Sequence, residues 1–395
     1  MLKKIINFFL IFALIYNISF DAFPSFTSGR IAFIFLIISN FKDLKLVFKE
    51  YKFLKLIILL LLLVSFLQFT FTGDNTQFSR FFYFTLFSLI SSFILAIRVK
   101  DTQKLLFYIL LAISFQSLVL IFTFFNPSFK LILDQYIVYS GNFTVENLYR
   151  SFGLSTQTGA VLSLTQSFGV GVGLLLLKYK NNYLIKSFII ISFLSTFFVG
   201  RTGILISLIF FGAYFYYTIS FKKIIKVSLI MIILPFLITI LSNKLTSSLD
   251  SISGFSSEFF LGWISEGFDI KDNRTVNALV STQNIPELTI QNFFIGSGTI
   301  SNSNGLNTSG HDSGYIQTYF SIGLIFTVLF YLSFSVFIVQ NFKILNNRKL
   351  LFFICLIILV LEFKEPMLFK YTEGFIFLSV LFSMKYEKLN KINNR

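Results

Sequence analysis

The sequence predicts an all-α polytopic membrane protein, and three observations carry that prediction. Apolar residues make up 55% of the 395-residue chain, charged residues only 13%, and the mean hydropathy is +0.78, well outside the usage of soluble domains. Apolar runs near the roughly twenty residues needed to cross about 30 Å of hydrocarbon recur along the whole length. No stretch reads as a separate soluble unit, so one integral membrane domain spanning residues 1–395 is expected.

Taken in order, helical spans are expected at 4–20, 24–41, 54–72, 80–97, 104–125, 157–177, 183–199, 202–220, 224–242, 314–340, 350–363 and 372–384, twelve in all. The first, in MLKKIINFFLIFALIYNISF, has the basic start and apolar core of a signal peptide. No small-residue cleavage site follows, so it reads as an uncleaved span. Arg30 interrupts the second, leaving only 31–39 strictly apolar, and that span is expected to be tilted or shielded by neighbours. The eleventh is short. Two long connections stand out, an outer loop at 126–156 and a larger loop at 243–313 before the tenth span, rich in Asn, Ser, Thr and Gly. A connection of roughly 70 residues exceeds a simple linker and is usually functional or disordered. Within it, Trp263 in FFLGWI suits a helix lying in the membrane interface; a mobile loop with one apolar anchor is the alternative.

The net charge of +15 need not mean nucleic acid, because basic residues in a membrane protein collect in its cytoplasmic loops. With the N-terminus inside, Lys3, Lys4, the loops KDLKLVFKEYKFLK, RVKDTQK, KYKNNYLIK, FKKIIK and KILNNRK, and the tail KYEKLNKINNR fall on one side. They hold 23 of the 33 Lys and Arg. Both termini are therefore expected in the cytoplasm, with the long loops outside. The lone cysteine, Cys355, lies in an apolar run and reads as a small buried hydrophobe, so no intrachain disulfide is possible.

Arginine placement is the sharpest chemical signal. The chain has 25 Lys and 8 Arg, yet the outer half carries 5 Arg among its 10 cations against 3 among 23 inside. The five are Arg30, Arg80, Arg150, Arg201 and Arg274. A guanidinium presents a planar fork that binds phosphate oxygens bidentately and stays charged. Arg201, in VGRTGILISLIFF, sits in a tight turn between apolar spans, where an ionised group costs on the order of 2.5 to 3.5 kcal/mol at full depth and so calls for a partner. Snorkelling to lipid phosphates is the competing reading. Arg150, in NLYRSFGLSTQTGA, precedes the sixth span, whose N-terminal dipole favours an anion. Arg80 stands at a span start, and Arg274 lies in the long loop, where a solvated charge competes with a binding role.

The only histidine, His311, falls at the outer mouth of the tenth span in GHDSGYIQTYFSIG. A neutral imidazole there suits removal of a proton from a hydroxyl, although an interfacial polar residue is the plainer role. Asp312 or Ser313 is expected to cap the following helix. With one His and no Cys nearby, neither a metal nor a cofactor is expected. In EFKEPMLFKYTEG, Glu362 with Lys364 or Glu365 is expected to meet the outer arginines, or else to form a solvated turn begun by Pro366.

RSFGLS at 150–155, GRTGILI at 200–206, NFFIGSGT at 292–299, HDSGYIQTYFSIGLI at 311–325 and FKEP at 363–366, in that order, resemble the bacterial O-antigen polymerases of the Wzy type, relatives of the O-antigen ligases. The resemblance runs from about residue 150 onward; before that it is one of hydropathy alone. It implies an enzyme of the bacterial inner membrane, a glycosyltransferase acting at the periplasmic face. A growing glycan on undecaprenyl pyrophosphate would pass to the terminal hydroxyl of an incoming lipid-linked repeat unit, releasing undecaprenyl pyrophosphate. In that scheme Arg201, Arg150, Arg80 and Arg274 hold pyrophosphate, His311 serves as base and Asp312 orients it or the sugar. Membrane lipids and a chain-length regulator are the partners it implies. A ligase transferring glycan to the lipid A-core shares the arginine turn and outer loop, but Asn or Ser more often follows its histidine. A flippase for lipid-linked oligosaccharides would place ionisable residues mid-membrane, and apart from Arg30 the long spans carry none.

Overall fold

The computed structural model describes residues 2–43, 52–139, 151–218, 289–301, 307–342, 355 and 357–393. Among these the chain is helical, without strands; two isolated bridges, Phe20 to Ile137 and Ser301 to Asn307, are the extended pairings. The helices are α1 Leu2–Tyr16, α2 Ser28–Ser39, α3 Lys52–Thr72, α4 Thr76–Val99, α5 Thr102–Phe125 and α6 Pro127–Tyr136. They continue with α7 Gly159–Tyr179, α8 Tyr183–Thr196, α9 Arg201–Thr218, the short α10 Ile290–Phe294, α11 Gly314–Ile322, α12 Leu324–Phe342 and α13 Tyr371–Asn393.

Four of these, α3, α4, α5 and α7, are long and apolar enough to cross a membrane, and α2, α8, α9 and α12 supply shorter apolar stretches. This is a helical membrane protein. The expected ninth span, residues 350–354 and 356 of the eleventh, Arg150, Trp263 and Arg274 lie outside the described residues. Of these four long helices, α7 is the most enclosed. Its glycines let neighbours approach closely, as small residues do where lipid offers no hydrophobic drive between helices. Gly169 faces Ile113 of α5, Gly171 faces the ring of Phe210 on α9, and Gly173 faces Ile189 of α8. α3 turns an apolar face outward instead, with Leu56, Leu59 and Leu63 all more than half exposed.

Three expectations are corrected. The tenth span is two helices rather than one: the chain breaks at Gly323, whose φ of +88° is open to glycine but strained for other residues. The carbonyls left open at the end of α11 are taken by the 295–298 segment. Ser297 N–H donates to Phe320 O at 2.7 Å and Gly298 N–H to Ser321 O at 2.9 Å, and Gln68 of α3 donates to Ser321 O at 2.9 Å. Arg30 does not interrupt a span, because α2 begins at Ser28 and the guanidinium turns back to Ser25 O at 2.6 Å and Tyr83 Oη at 3.0 Å. The 126–156 loop opens with a helix, α6, capped by Asn126 accepting from Phe129 N–H.

Helix ends sort into two groups. At one end Thr156 bonds the Tyr16 and Asn17 carbonyls, Ser151 N–H donates to Phe198 O, Ile300 N–H donates to Thr76, and Thr372 bonds Ile15 O. At the other, Arg98 bonds Asn7 and Ser39, and Thr102 N–H meets Glu387. Gly169→Leu is expected to force α7 from α5, lowering the thermal midpoint in detergent at a cost of about 1 to 3 kcal/mol; Gly212→Leu, in open space, is expected to leave it unchanged.

Candidate functional site

The 362–370 turn organises the first of these ends. It begins where the 357–361 helical turn stops, so Glu362 is the first residue beyond the helix. Its side chain is fully buried and has a donor on each oxygen, Tyr331 O–H at 2.7 Å on Oε1 and Leu368 N–H at 3.0 Å on Oε2. Because Tyr331 gives its hydrogen to the carboxylate, Thr318 must donate to Tyr331 across 3.4 Å. Arg80 in turn donates to Thr318 Oγ1 at a long 3.5 Å. Two hydroxyls thus relay the arginine's charge toward the carboxylate. The guanidinium carbon lies 3.9 Å from the centroid of the Phe369 ring, stacked as a cation on a π face, and Arg80 Nη1 is buried without a hydrogen-bond partner. Burial pushes the Glu362 carboxyl up to about 7, against the pull of Leu368, Tyr331 and Arg80.

The same turn reaches two further segments. Lys364 Nζ donates to Thr202 Oγ1 at 2.8 Å, joining the turn to the start of α9, where burial lowers the ammonium from its ordinary range. Gly314 N–H donates to Glu362 O at 2.8 Å. A Cβ at Gly314 would lie 2.5 Å from both Glu362 Oε1 and Pro366 Cα, so only glycine lets α11 seat there. Arg201 opens α9 in a turn locked from below: Ser163 Oγ donates to Gly200 O at 2.5 Å and accepts from Gly203 N–H at 2.8 Å.

His311 is 7% exposed, held by backbone bonds; its carbonyl accepts from Asn307, Ser309 and Gln317. Asp312 is exposed and accepts from Asn307 Nδ2 at 3.3 Å. Neither expected cap forms, since Ser313 occupies the cap position of α11 without a side-chain bond and Asp312 turns to Asn307. The first free N–H of α11 goes to Glu362 O instead. Glu365 pairs with Lys370 at 2.7 Å rather than with an arginine. Beside that pair, an open cavity of about 520 Å³ lies between the start of α7 and the turn, walled by Gln157, Glu365, Lys370 and Tyr371.

The quoted segments therefore meet at one end: the start of α9, the start of α11, the 296–298 strip under α11, and the 362–370 turn. Among the expected pyrophosphate ligands, Arg80 stands in the Glu362 cluster. No protein-family model, curated protein or solved structure matches the chain. Sequence reasoning missed Tyr331 and Thr318, whose only signal was a hydroxyl, in an apolar run for Tyr331 and beside Gln317 for Thr318.

Removing the carboxylate should cost more than neutralising it. Glu362→Ala leaves Tyr331 O–H and Leu368 N–H without their acceptor and Arg80 without the carboxylate charge acting on it, and is expected to destabilise by about 3 to 5 kcal/mol; Glu362→Gln, of the same volume, is expected to lose less. Thermal unfolding of both variants in one detergent checks the order.

Proposed function

We propose that the chain is a surface-polysaccharide polymerase of the bacterial inner membrane, which transfers a growing glycan from undecaprenyl pyrophosphate to the terminal hydroxyl of a lipid-linked repeat unit. The observation that carries this reading is the joining of sequence-distant segments by the 362–370 turn: Lys364 to Thr202 and Glu362 to Gly314. A transfer between two lipid-borne sugars needs donor, acceptor and leaving group held together at a membrane surface, and a site assembled from several helix ends meets that need. The cavity beside Lys370 is large enough for a few sugar rings and, beside Ala160 and Val161, offers amide, hydroxyl and charged groups to hydroxyls.

In this reading the end bearing the 362–370 turn faces the periplasm. Arg201, Arg150 and Arg274 hold pyrophosphate oxygens and stabilise the departing carrier. Arg80 belongs to the same set and is the member tied to Glu362. His311 takes the acceptor's proton as its oxygen attacks the anomeric carbon, the bond to pyrophosphate breaks, and Asp312 orients the sugar or the imidazole.

The test is a deletion strain complemented with wild type, Arg201→Ala, Arg150→Ala or His311→Ala, with the lipopolysaccharide ladder and extracted lipid-linked glycans read together. A core bearing a single repeat unit in the deletion strain is expected, with at least a hundredfold loss of polymer in both arginine variants while membrane insertion is unchanged. Uncapped core with accumulated lipid-linked polymer would mean a ligase. Lipid-linked monomer trapped at the cytoplasmic face would mean a flippase, and full ladders from both arginine variants would remove the pyrophosphate clamp.

A further inference from the structure

A second buried glutamate lies apart from the Glu362 cluster. Glu373, in the first turn of α13, is 1% exposed. Its Oε1 meets Thr165 Oγ1 of α7 at 3.2 Å, while Oε2 is buried without a hydrogen-bond partner. Lys370, the cation acting on it, is already paired with Glu365 at 2.7 Å. An ionised carboxylate is an acceptor only, with about four lone-pair positions to fill, and burying one without a cation or a full set of donors is strongly unfavourable.

The hydrogen count points the other way. Thr165 has one hydroxyl hydrogen and two oxygens in reach, Val161 O at 3.1 Å and Glu373 Oε1 at 3.2 Å. If the carboxyl carries its own proton on Oε1, both contacts are filled: the acid donates to Thr165, and Thr165 donates to the carbonyl one turn back. Glu362, with a donor on each oxygen, needs no such proton.

Among the described residues, the charged and titratable groups around Glu373 are few. Tyr16 of α1 is close enough to interact electrostatically, and its Oη accepts from Gln166 Nε2 at 3.1 Å. Gln166 Oε1 accepts from Ser117 at 2.6 Å and Ser195 at 3.3 Å, so this interior chain is made of neutral groups. Lys370 and Glu365 face it from the turn. The arginines of α4 are engaged elsewhere, Arg80 over Phe369 and Arg98 with Asn7 and Ser39, and Arg30 of α2 bonds Ser25 and Tyr83.

We propose that Glu373 is a proton-binding site, occupied in the resting protein, whose resident proton bridges α13 to α7 through Thr165. Losing it leaves a buried charge beside a single hydroxyl, so deprotonation loosens that helix contact next to the cavity walled by Lys370 and Tyr371. The site is independent of the polymerase reading.

The sign follows from proton counting. The native state holds a proton that the unfolded chain releases above the ordinary glutamate value of about 4.3. Stability contributed by this group therefore falls as pH rises above that value, until the native carboxyl itself ionises.

The experiment uses the full chain in detergent, with infrared spectra and thermal midpoints of wild type, Glu373→Gln and Thr165→Val between about pH 5 and pH 9. Expected at pH 7 are a protonated-carboxyl C=O band lost in Glu373→Gln and shifted in Thr165→Val, and a fall of the wild-type midpoint with pH that Glu373→Gln lessens by one proton per molecule. If Glu373→Gln fails to fold, the band and its shift in Thr165→Val still decide. Identical wild-type and Glu373→Gln spectra, or no band shift in Thr165→Val, would overturn the proposal. So would a wild-type midpoint that rises when sodium replaces choline at fixed pH and ionic strength, since a metal ion would then fill the place of the proton.

Discussion

Burying the Glu362 carboxylate is the constraint on which one end of the bundle depends. A carboxylate removed from water must be given donors, and here two supply them, Tyr331 O–H on α12 and the Leu368 N–H of its own turn, while Arg80 on α4 is linked to Tyr331 through Thr318. Satisfying it closes the turn. A closed turn then presents the Glu362 carbonyl to α11 and Lys364 to α9 at fixed positions. Breaking one partner of such a set is costly because the others stay buried, so the arrangement has little freedom to drift.

Glycine does the complementary work. Gly314 lets α11 approach the turn, Gly200 and Gly203 let the arginine turn sit on Ser163, and Gly296 lets its strip pass beneath the break at Gly323. Where ions fix direction, missing side chains permit proximity. The outcome is a polar end of a greasy bundle, with a half-buried ion pair at the edge of a cavity. Dipoles fixed in such a place act more strongly than in bulk water, because water there is thin.

Hydropathy and charge were enough to read the helical membrane class and the helix limits of α3, α4, α5 and α7, since an apolar run of the required length has few other uses. The break at Gly323 was illegible because apolar residues continue on both sides and glycine is common in membrane helices; the extended 295–298 segment that makes the break stable is distant in sequence. Arg30 read as a break because its charge falls within an apolar stretch, whereas α2 starts at Ser28 and holds it in the first turn. Among the site residues, the segments around Arg201, His311 and Lys364 were legible as polar clusters at span ends. Tyr331, Thr318 and Glu373 were not, since a polar side chain in the sequence does not disclose its partner on another helix.

The most direct measurement is reconstitution of the purified chain in liposomes with an undecaprenyl-pyrophosphate-linked repeat unit from the parent strain, following glycan length and released undecaprenyl pyrophosphate together. The account predicts a ladder of lipid-linked glycans with one carrier released for each unit added. A folded protein that yields no ladder, or that extends glycan only when a lipid A-core acceptor is supplied, would contradict it.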